Sequence, residues 1–129
     1  MALGILGFGV AIFSYSFISH AAREGTRYAM VHGANCSSCN LTSAQIASYV
    51  TGIAPPGIST SAMTVDVYCG APSSTPPTGD CGGTTSGTPN DNPGNVVYVK
   101  VIYSYSFLKG FLHINSISMT TASERVIWQ

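Results

Sequence analysis

Four cysteines are the side chains of this sequence best placed to do chemistry: Cys36, Cys39, Cys69 and Cys81. The Cys36-Ser-Ser-Cys39 spacing is typical of zinc ligands. The second pair, however, has eleven residues between its members in a Pro- and Gly-rich stretch, where a zinc ribbon would repeat the close spacing. An even cysteine count behind an apolar N-terminus favours an oxidising compartment and two disulfides. Among the pairings that four cysteines allow, we favour Cys36–Cys39 and Cys69–Cys81 because both pairs are close in sequence.

The histidines and carboxylates form no recognisable catalytic pattern. His20 and His32 are twelve residues apart, too far to converge on one atom, and His113 is alone near a predicted turn. The carboxylates are scattered, and the sequence contains no G-x-S-x-G elbow, no H-E-x-x-H helix and no phosphate-binding loop. We therefore expect no enzymatic activity, no cofactor, no metal site and no small-molecule substrate.

Composition points away from nucleic acid. Charged residues make up only 8% of the 129 residues, well below the roughly 25% of ordinary soluble domains. Five basic and five acidic residues give no net charge, so there is no basic stripe for a polyphosphate to follow. The exterior is expected to be rich in uncharged Ser, Thr, Asn and Tyr, as on secreted or surface-assembled proteins.

The first 19 residues, MALGILGFGVAIFSYSFIS, carry no charged side chain. At about 1.5 Å per residue, a helix of this length nearly crosses the roughly 30 Å hydrocarbon layer of a membrane. It lacks the basic start and processing site of a cleaved signal peptide. We predict a helix that sits in a membrane or packs against copies of itself. The residues expected to pack in such a filament core are Leu3, Ile5, Leu6, Phe8, Val10, Ile12, Phe13 and Phe17.

The helical pattern continues to about residue 32, where Gly33 is placed to end it. An inward face is expected at Ile18, Ala21, Ala22, Gly25, Tyr28 and Ala29. Arg23, Glu24 and Arg27 then lie on the outer side and mark where the helix leaves the apolar phase. The prediction is one helix over 1–32, in which 1–19 form the membrane or filament core and 20–32 the spine of a globular head, residues 33–129.

The head is predicted to contain a short helix and three strands. Thr42 and Gln45 form a capping box before a helix that stops at Gly52. Alternating apolar residues predict strands over 62–69, 96–107 and from 117 onward. Residues 70–95 are rich in Gly, Pro, Ser and Thr and predict a long exposed loop tied back by Cys81. The fold class is therefore α+β: a long N-terminal hydrophobic helix packed by a small antiparallel sheet.

Two tripeptides match the N-glycosylation sequon, Asn35-Cys-Ser and Asn40-Leu-Thr. Such tripeptides arise often by chance in a chain rich in Ser and Thr. Asn35 and Asn40 are possible glycosylation sites.

Both ends of the chain resemble the TadE/TadG-like group of pilin-like proteins, which are related to type IV pilins. The resemblance lies in the apolar helix that runs into AAREGTRYAMVHG (21–33), the strand VVYVKVIYSYSF (96–107) and the ending ISMTTASERVIWQ (117–129). It covers about half of the chain. It implies an exported, pilin-like subunit that is cleaved by a prepilin peptidase, sits in the inner membrane, and joins a helical filament built around a bundle of these helices.

One feature departs from that group. Its members usually carry a glutamate early in the apolar segment, which in related pilins can pair with a neighbour's N-terminal amine, and none of residues 1–19 is acidic. We favour the interpretation that Met1 follows a removed leader and that the subunit manages without this pair; the alternative is that the sequence begins inside the family's helix.

The leading hypothesis is a homo-oligomeric structural subunit of an extracellular, cell-surface pilus. The alternatives are a minor pilin that primes or caps assembly, and a membrane-tethered monomeric adhesin that displays residues 70–95.

Overall fold

The computed structural model describes residues 1–32, 41–56, 58–72, 76–85, 88–105 and 117–127. Two helices, α1 (Ala2–Val31) and α2 (Ser43–Gly52), precede the strands β1 (Met63–Gly70), β2 (Thr84–Thr85), β3 (Thr88–Pro89), β4 (Val96–Tyr105) and β5 (Ile117–Val126). β4 lies between β1 and β5 in an antiparallel sheet, and β2 pairs with β3. The α+β class and the long apolar helix against a small antiparallel sheet are confirmed. The expectations for Cys36, Cys39, Asn35, Asn40 and His113 lie outside the described residues.

The first helix ends where the sequence predicts. The last helical residue is Val31, and the backbone N–H of His32 donates to the carbonyl of Ala29 at 3.3 Å. The His32 ring also donates from Nδ1 to the carbonyl of Tyr28 at 2.9 Å. His32 thus satisfies C-terminal carbonyls that the helix leaves open.

Small residues form the side of α1 that the head buries. The buried positions are Gly7, Ser14, Ile18, Ala21, Ala22, Gly25, Thr26 and Ala29. Most of the predicted inward face is confirmed. Tyr28 differs, because it is half-buried and stacks on Tyr49 of α2, with ring centroids 4.0 Å apart. Thr26 was not predicted; its hydroxyl lies 3.2 Å from that of Ser123 on β5.

The head begins to cover α1 earlier than the predicted division at residue 20. Gly7 and Ser14 are already buried, and Ala11 and Phe17 pack against the head's core. Residues 1–19 are therefore not a free segment below the head. From Gly7 onward, one side of the helix belongs to the folded unit, whereas residues 1–6 are exposed.

The apolar face of the sheet, formed by alternate residues along its strands, packs against α1. Val97, Val99 and Val101 of β4 are fully buried, and Tyr103 and Tyr105 continue the same face. Register places Val67 of β1 opposite Val99. This strand was the clearest one in the sequence because its period-two pattern is set by the pleat.

Gly25 lies where α1 meets both α2 and β4. A Cβ atom at this position would sit 2.6 Å from Val50 Cγ2 and 3.3 Å from Val99 Cγ1. Gly25→Val is expected to lower the free energy of unfolding by about 1–3 kcal/mol, the usual cost of overpacking a core. Gly9→Val is the matched control, because within the described part of the chain nothing lies within 4 Å of its Cβ position. Equal denaturation midpoints for the two variants would contradict this packing.

Residues 70–95 are not the exposed loop that the sequence predicted. This segment, called the cap below, contains the β2–β3 hairpin and buries Pro77, Cys81, Asn90 and Asp91. A disulfide joins Cys69 to Cys81, with Cα atoms 4.7 Å apart. The sequence did not predict this fold, because the cap contains few apolar side chains. It is held largely by polar contacts.

Candidate functional site

A strip of large apolar side chains on α1 is exposed on the side away from the head. Its members are Leu3, Ile5, Leu6, Phe8, Val10, Ile12, Phe13 and Tyr15, and we call them the apolar strip. Ile5 is 74% and Phe8 70% exposed. A contiguous apolar surface of this kind marks a protein or membrane contact.

Most residues expected in a filament core belong to this strip. Phe17 is the exception, because it is half-buried and packs against the head's own core. Tyr15, which the sequence analysis left out, is 54% exposed and extends the strip toward the charged part of the helix. The helical period could have identified both, since Phe17 lies three residues after Ser14 and four before Ala21, both buried, and Tyr15 shares a face with Phe8 and Ile12.

The same helix satisfies the length and polarity of a membrane span. Within the described residues, α1 is the single helix long and apolar enough to cross a membrane, and 17% of its most apolar window is buried. By length and composition, the exposed side of α1 is suited to contact with lipid or with protein.

The charged side chains that follow the strip lie in two different environments. Arg23 and Arg27 are exposed, as predicted. Glu24 is half-buried and accepts a hydrogen bond from the Tyr49 hydroxyl at 3.5 Å. The carboxylate is thus held toward α2, while the two guanidinium groups remain on the outer surface.

The cap is the second surface that the sequence singled out, and hydrogen bonds hold it in place. The Cys69 N–H donates to the Gly79 carbonyl at 2.8 Å, next to the disulfide. Asn90 Nδ2 donates to the Asp80 carbonyl at 2.9 Å, and Asn95 Nδ2 donates to the Asn90 carbonyl at 3.0 Å. These bonds connect successive turns of the cap.

Asp80 joins the cap to the start of α2. Its Oδ1 accepts from the backbone N–H groups of Ser43 and Gly82, both at 3.0 Å. In return, the Cys81 N–H donates to Ser43 Oγ at 2.9 Å. The hydrogen bond from the Ser43 N–H, followed by the smaller effect of the bond from the Gly82 N–H, lowers the pKa of Asp80 below its ordinary value of 3.8.

Asp91 is in the opposite situation. The residue is 4% exposed, and both carboxylate oxygens lack a hydrogen-bond partner among the described residues. Burial raises the pKa of Asp91 above 3.8, because a desolvated carboxylate is costly. Nothing in the local sequence distinguishes Asp80 from Asp91 in this respect.

Substitutions of the two aspartates are expected to change the stability of the protein in opposite directions. Asp80 has a depressed pKa, so its contribution is present above pH 3.8 and is lost as the pH falls through its folded pKa. Asp91 has a raised pKa, so its folded state loses stability as the pH rises from 3.8 through its folded pKa. At neutral pH, Asp80→Asn should destabilise the protein by about 0.3 kcal/mol, the low end for an exposed negative charge near a helix N-terminus, because the amide oxygen keeps the hydrogen bonds and only the charge is lost. Asp91→Asn should stabilise it.

Thermal melts at neutral pH and below pH 3.8 measure both effects. Each difference from the wild type should shrink as the pH falls below 3.8, for Asp91 first and for Asp80 only once the pH has passed its depressed folded-state pKa. A stabilising Asp80→Asn or a destabilising Asp91→Asn at neutral pH would contradict the assignment.

Metal-ligating side chains do not cluster within the described ranges. These ranges contain no group of three or more His, Cys, Asp or Glu residues placed to hold a metal ion. His20 is exposed on α1, and His32 is used at the helix end. The described surfaces offer apolar contact and hydrogen bonding.

The fold defines an α+β protein whose long apolar helix packs on a three-stranded antiparallel sheet. Comparison with protein-family models, curated proteins and solved structures gave no match.

Proposed function

We propose that this chain is a structural subunit of an extracellular, pilus-like filament of the TadE/TadG-like type, assembled through its N-terminal helices. The observation that carries this proposal is the apolar strip. It is exposed on a helix whose opposite side is already buried by its own head.

The strip is large enough to drive assembly. Burying one Leu, Ile or Phe side chain gains about 1.5–3 kcal/mol, so its partly exposed members together provide on the order of 10 kcal/mol. Association costs about 4–15 kcal/mol in lost freedom. Several such contacts around each helix in a bundle therefore favour a polymer, whereas one contact would be marginal.

Low charge favours close packing of the heads. The chain has no net charge and only 8% charged residues, so neighbouring heads can crowd together without strong repulsion. A repeated contact between different surfaces of identical subunits does not close on itself and generates a helical polymer.

The docked head argues against a simple membrane tether as the final state. Ala11 and Phe17 pack against the hydrophobic core of the protein, and Gly7 and Ser14 are buried. Lipid on every side of residues 1–19 would bring part of an open sheet into the hydrocarbon, where unpaired strand edges are not tolerated. Protein neighbours on the strip avoid this cost. We propose that the subunit resides in the inner membrane, with the strip facing lipid, only before assembly.

Electron microscopy of material sheared from cells that make the protein, with N-terminal sequencing of its main component, tests the proposal. We expect filaments in which this chain is the main protein. A trace amount at filament ends would indicate the minor, priming or capping subunit. Recovery solely as single copies in detergent-solubilised membranes would contradict the filament and favour the tethered adhesin.

A further inference from the structure

A groove beside α1 collects most of the chain's positive charge. Arg23 and Arg27 of α1 and Arg125 of β5 line a groove of about 370 Å³, together with Glu24, Thr26 and Met30. These arginines are three of only five basic residues in the chain. All three are exposed. We call this surface the arginine groove.

The carboxylate that lines the arginine groove does not neutralise it. Glu24 accepts a hydrogen bond from Tyr49 of α2, and a single carboxylate against three guanidinium groups leaves a net positive charge among the described lining residues. Guanidinium groups bind phosphate through paired N–H donors, and a cluster of them is suited to a phosphate group. The whole chain has no net charge, so the arginine groove is a local concentration of positive charge.

A second groove leads from the apolar strip into the first. It measures about 380 Å³ and is lined by Ile12, Tyr15, Ser16, Ser19, His20 and Arg23. Arg23 lines both grooves. Along this side of α1 the surface therefore changes in order from apolar, through uncharged polar, to basic.

We infer that these connected grooves bind an anionic phospholipid. Its acyl chain would lie on the apolar strip, its glycerol esters beside the Ser16 and Ser19 hydroxyls, and its phosphate in the arginine groove. The distances suit this order: Tyr15 and Arg23 are eight residues apart, about 12 Å along the helix. Arginine side chains on a helix also tilt toward its N-terminus, which brings the guanidinium groups closer to the strip.

A free phosphate would need only the arginine groove. The continuous approach from Ile12 to Arg23 matches a ligand with an apolar tail and an anionic head. The acyl-chain end of this site shares Ile12 and Tyr15 with the apolar strip, whereas its headgroup end at Arg125 lies on β5, opposite Val97. Because lipid retention is measured on the single subunit, where the strip is free, its outcome does not depend on whether the chain polymerises.

Native mass spectrometry of the full chain, released from micelles that contain phosphatidylcholine and phosphatidylglycerol, tests the inference. The wild type is expected to retain phosphatidylglycerol in preference to phosphatidylcholine. Arg125→Gln should weaken this retention about fivefold, the effect of one basic residue near an anionic headgroup. Lys100→Gln is the matched control, because it removes the same charge from the opposite face of the sheet, where Lys100 pairs in register with Asp66.

Three outcomes would overturn the site. One is equal retention of the two lipids by the wild type. Another is equal loss in Arg125→Gln and Lys100→Gln, which would indicate non-specific attraction. The third is displacement of phosphatidylglycerol by inorganic phosphate, which would show that the arginine groove takes a free anion. Circular dichroism of each variant verifies that the fold is retained.

Discussion

Replacing Phe13 by aspartate is expected to abolish filament formation and leave the head folded. Phe13 belongs to the apolar strip and is 54% exposed, so the substitution removes no contact of the described core. In an assembled helix bundle, the new carboxylate would be buried without a partner. Such a charge costs several kcal/mol at each contact, which is comparable to the whole gain from packing the strip.

Val31→Asp is a closely matched control for this experiment. Val31 lies on the same helix and is 55% exposed, nearly the same as Phe13. It follows Phe13 by 18 residues, which are five turns, so both side chains project in the same direction from α1. Val31 lies beyond the strip, and its substitution should leave assembly intact.

Sheared filaments, counted by electron microscopy and immunoblot, measure the effect of both substitutions. The amount of each variant in the membrane fraction shows whether it is made and exported. Filaments from Phe13→Asp at wild-type abundance would contradict the strip as the assembly contact. Equal loss in both variants would show that the whole outer side of α1 is required, and the assignment to residues 3–15 would be wrong.

Loss of the Cys69–Cys81 disulfide is expected to have the largest effect on stability. The bond closes a segment with a sequence separation of 12, and both cysteines are almost fully buried. Closing a loop of about this length stabilises a protein by roughly 3 kcal/mol, mainly by restricting the unfolded chain. The cap depends on this bond more than the sheet does, because mainly polar contacts otherwise hold its turns.

The double substitution Cys69→Ala and Cys81→Ala tests this expectation without leaving a free thiol. Its denaturation midpoint should fall, and limited proteolysis should cut within residues 70–95 before the rest of the head. Thr78→Ala with Thr88→Ala is the control, because both residues are exposed in the same segment. Wild-type stability and protease resistance in the cysteine variant would contradict a structural role for the bond.

The amino-acid sequence predicted the elements whose signals are local. The alternation of β4 follows from the two-residue period of a strand, and the capping box of Thr42 and Gln45 involves residues three positions apart. The end of α1 at Val31 was equally readable, because helix ends depend on the few residues around them. The pairing of Cys69 with Cys81 followed from the short separation of the two residues.

The candidate surfaces were predicted less completely. A covered side of α1 was expected from Ile18 onward, but its extension back to Gly7 was not, so the packing of Phe17 against the head's core was missed. Residues 70–95 were predicted to be an exposed loop because they contain few apolar side chains. Apolar content does not reveal burial in a segment that is held by other interactions. In the cap, burial comes from the disulfide and from hydrogen bonds such as Asn90 to Asp80, which composition does not reveal.

By itself, then, the sequence determined that a long, largely apolar helix precedes a small sheet, because hydrophobic periodicity depends on residues that are near one another in the chain. Tertiary structure alone decided which side of that helix stays exposed and which aspartate is buried. It also decided that Arg125 joins Arg23 and Arg27 in one groove. Such pairings join residues about a hundred positions apart, and they depend on the register of β5 against β4 and on how the sheet docks on α1.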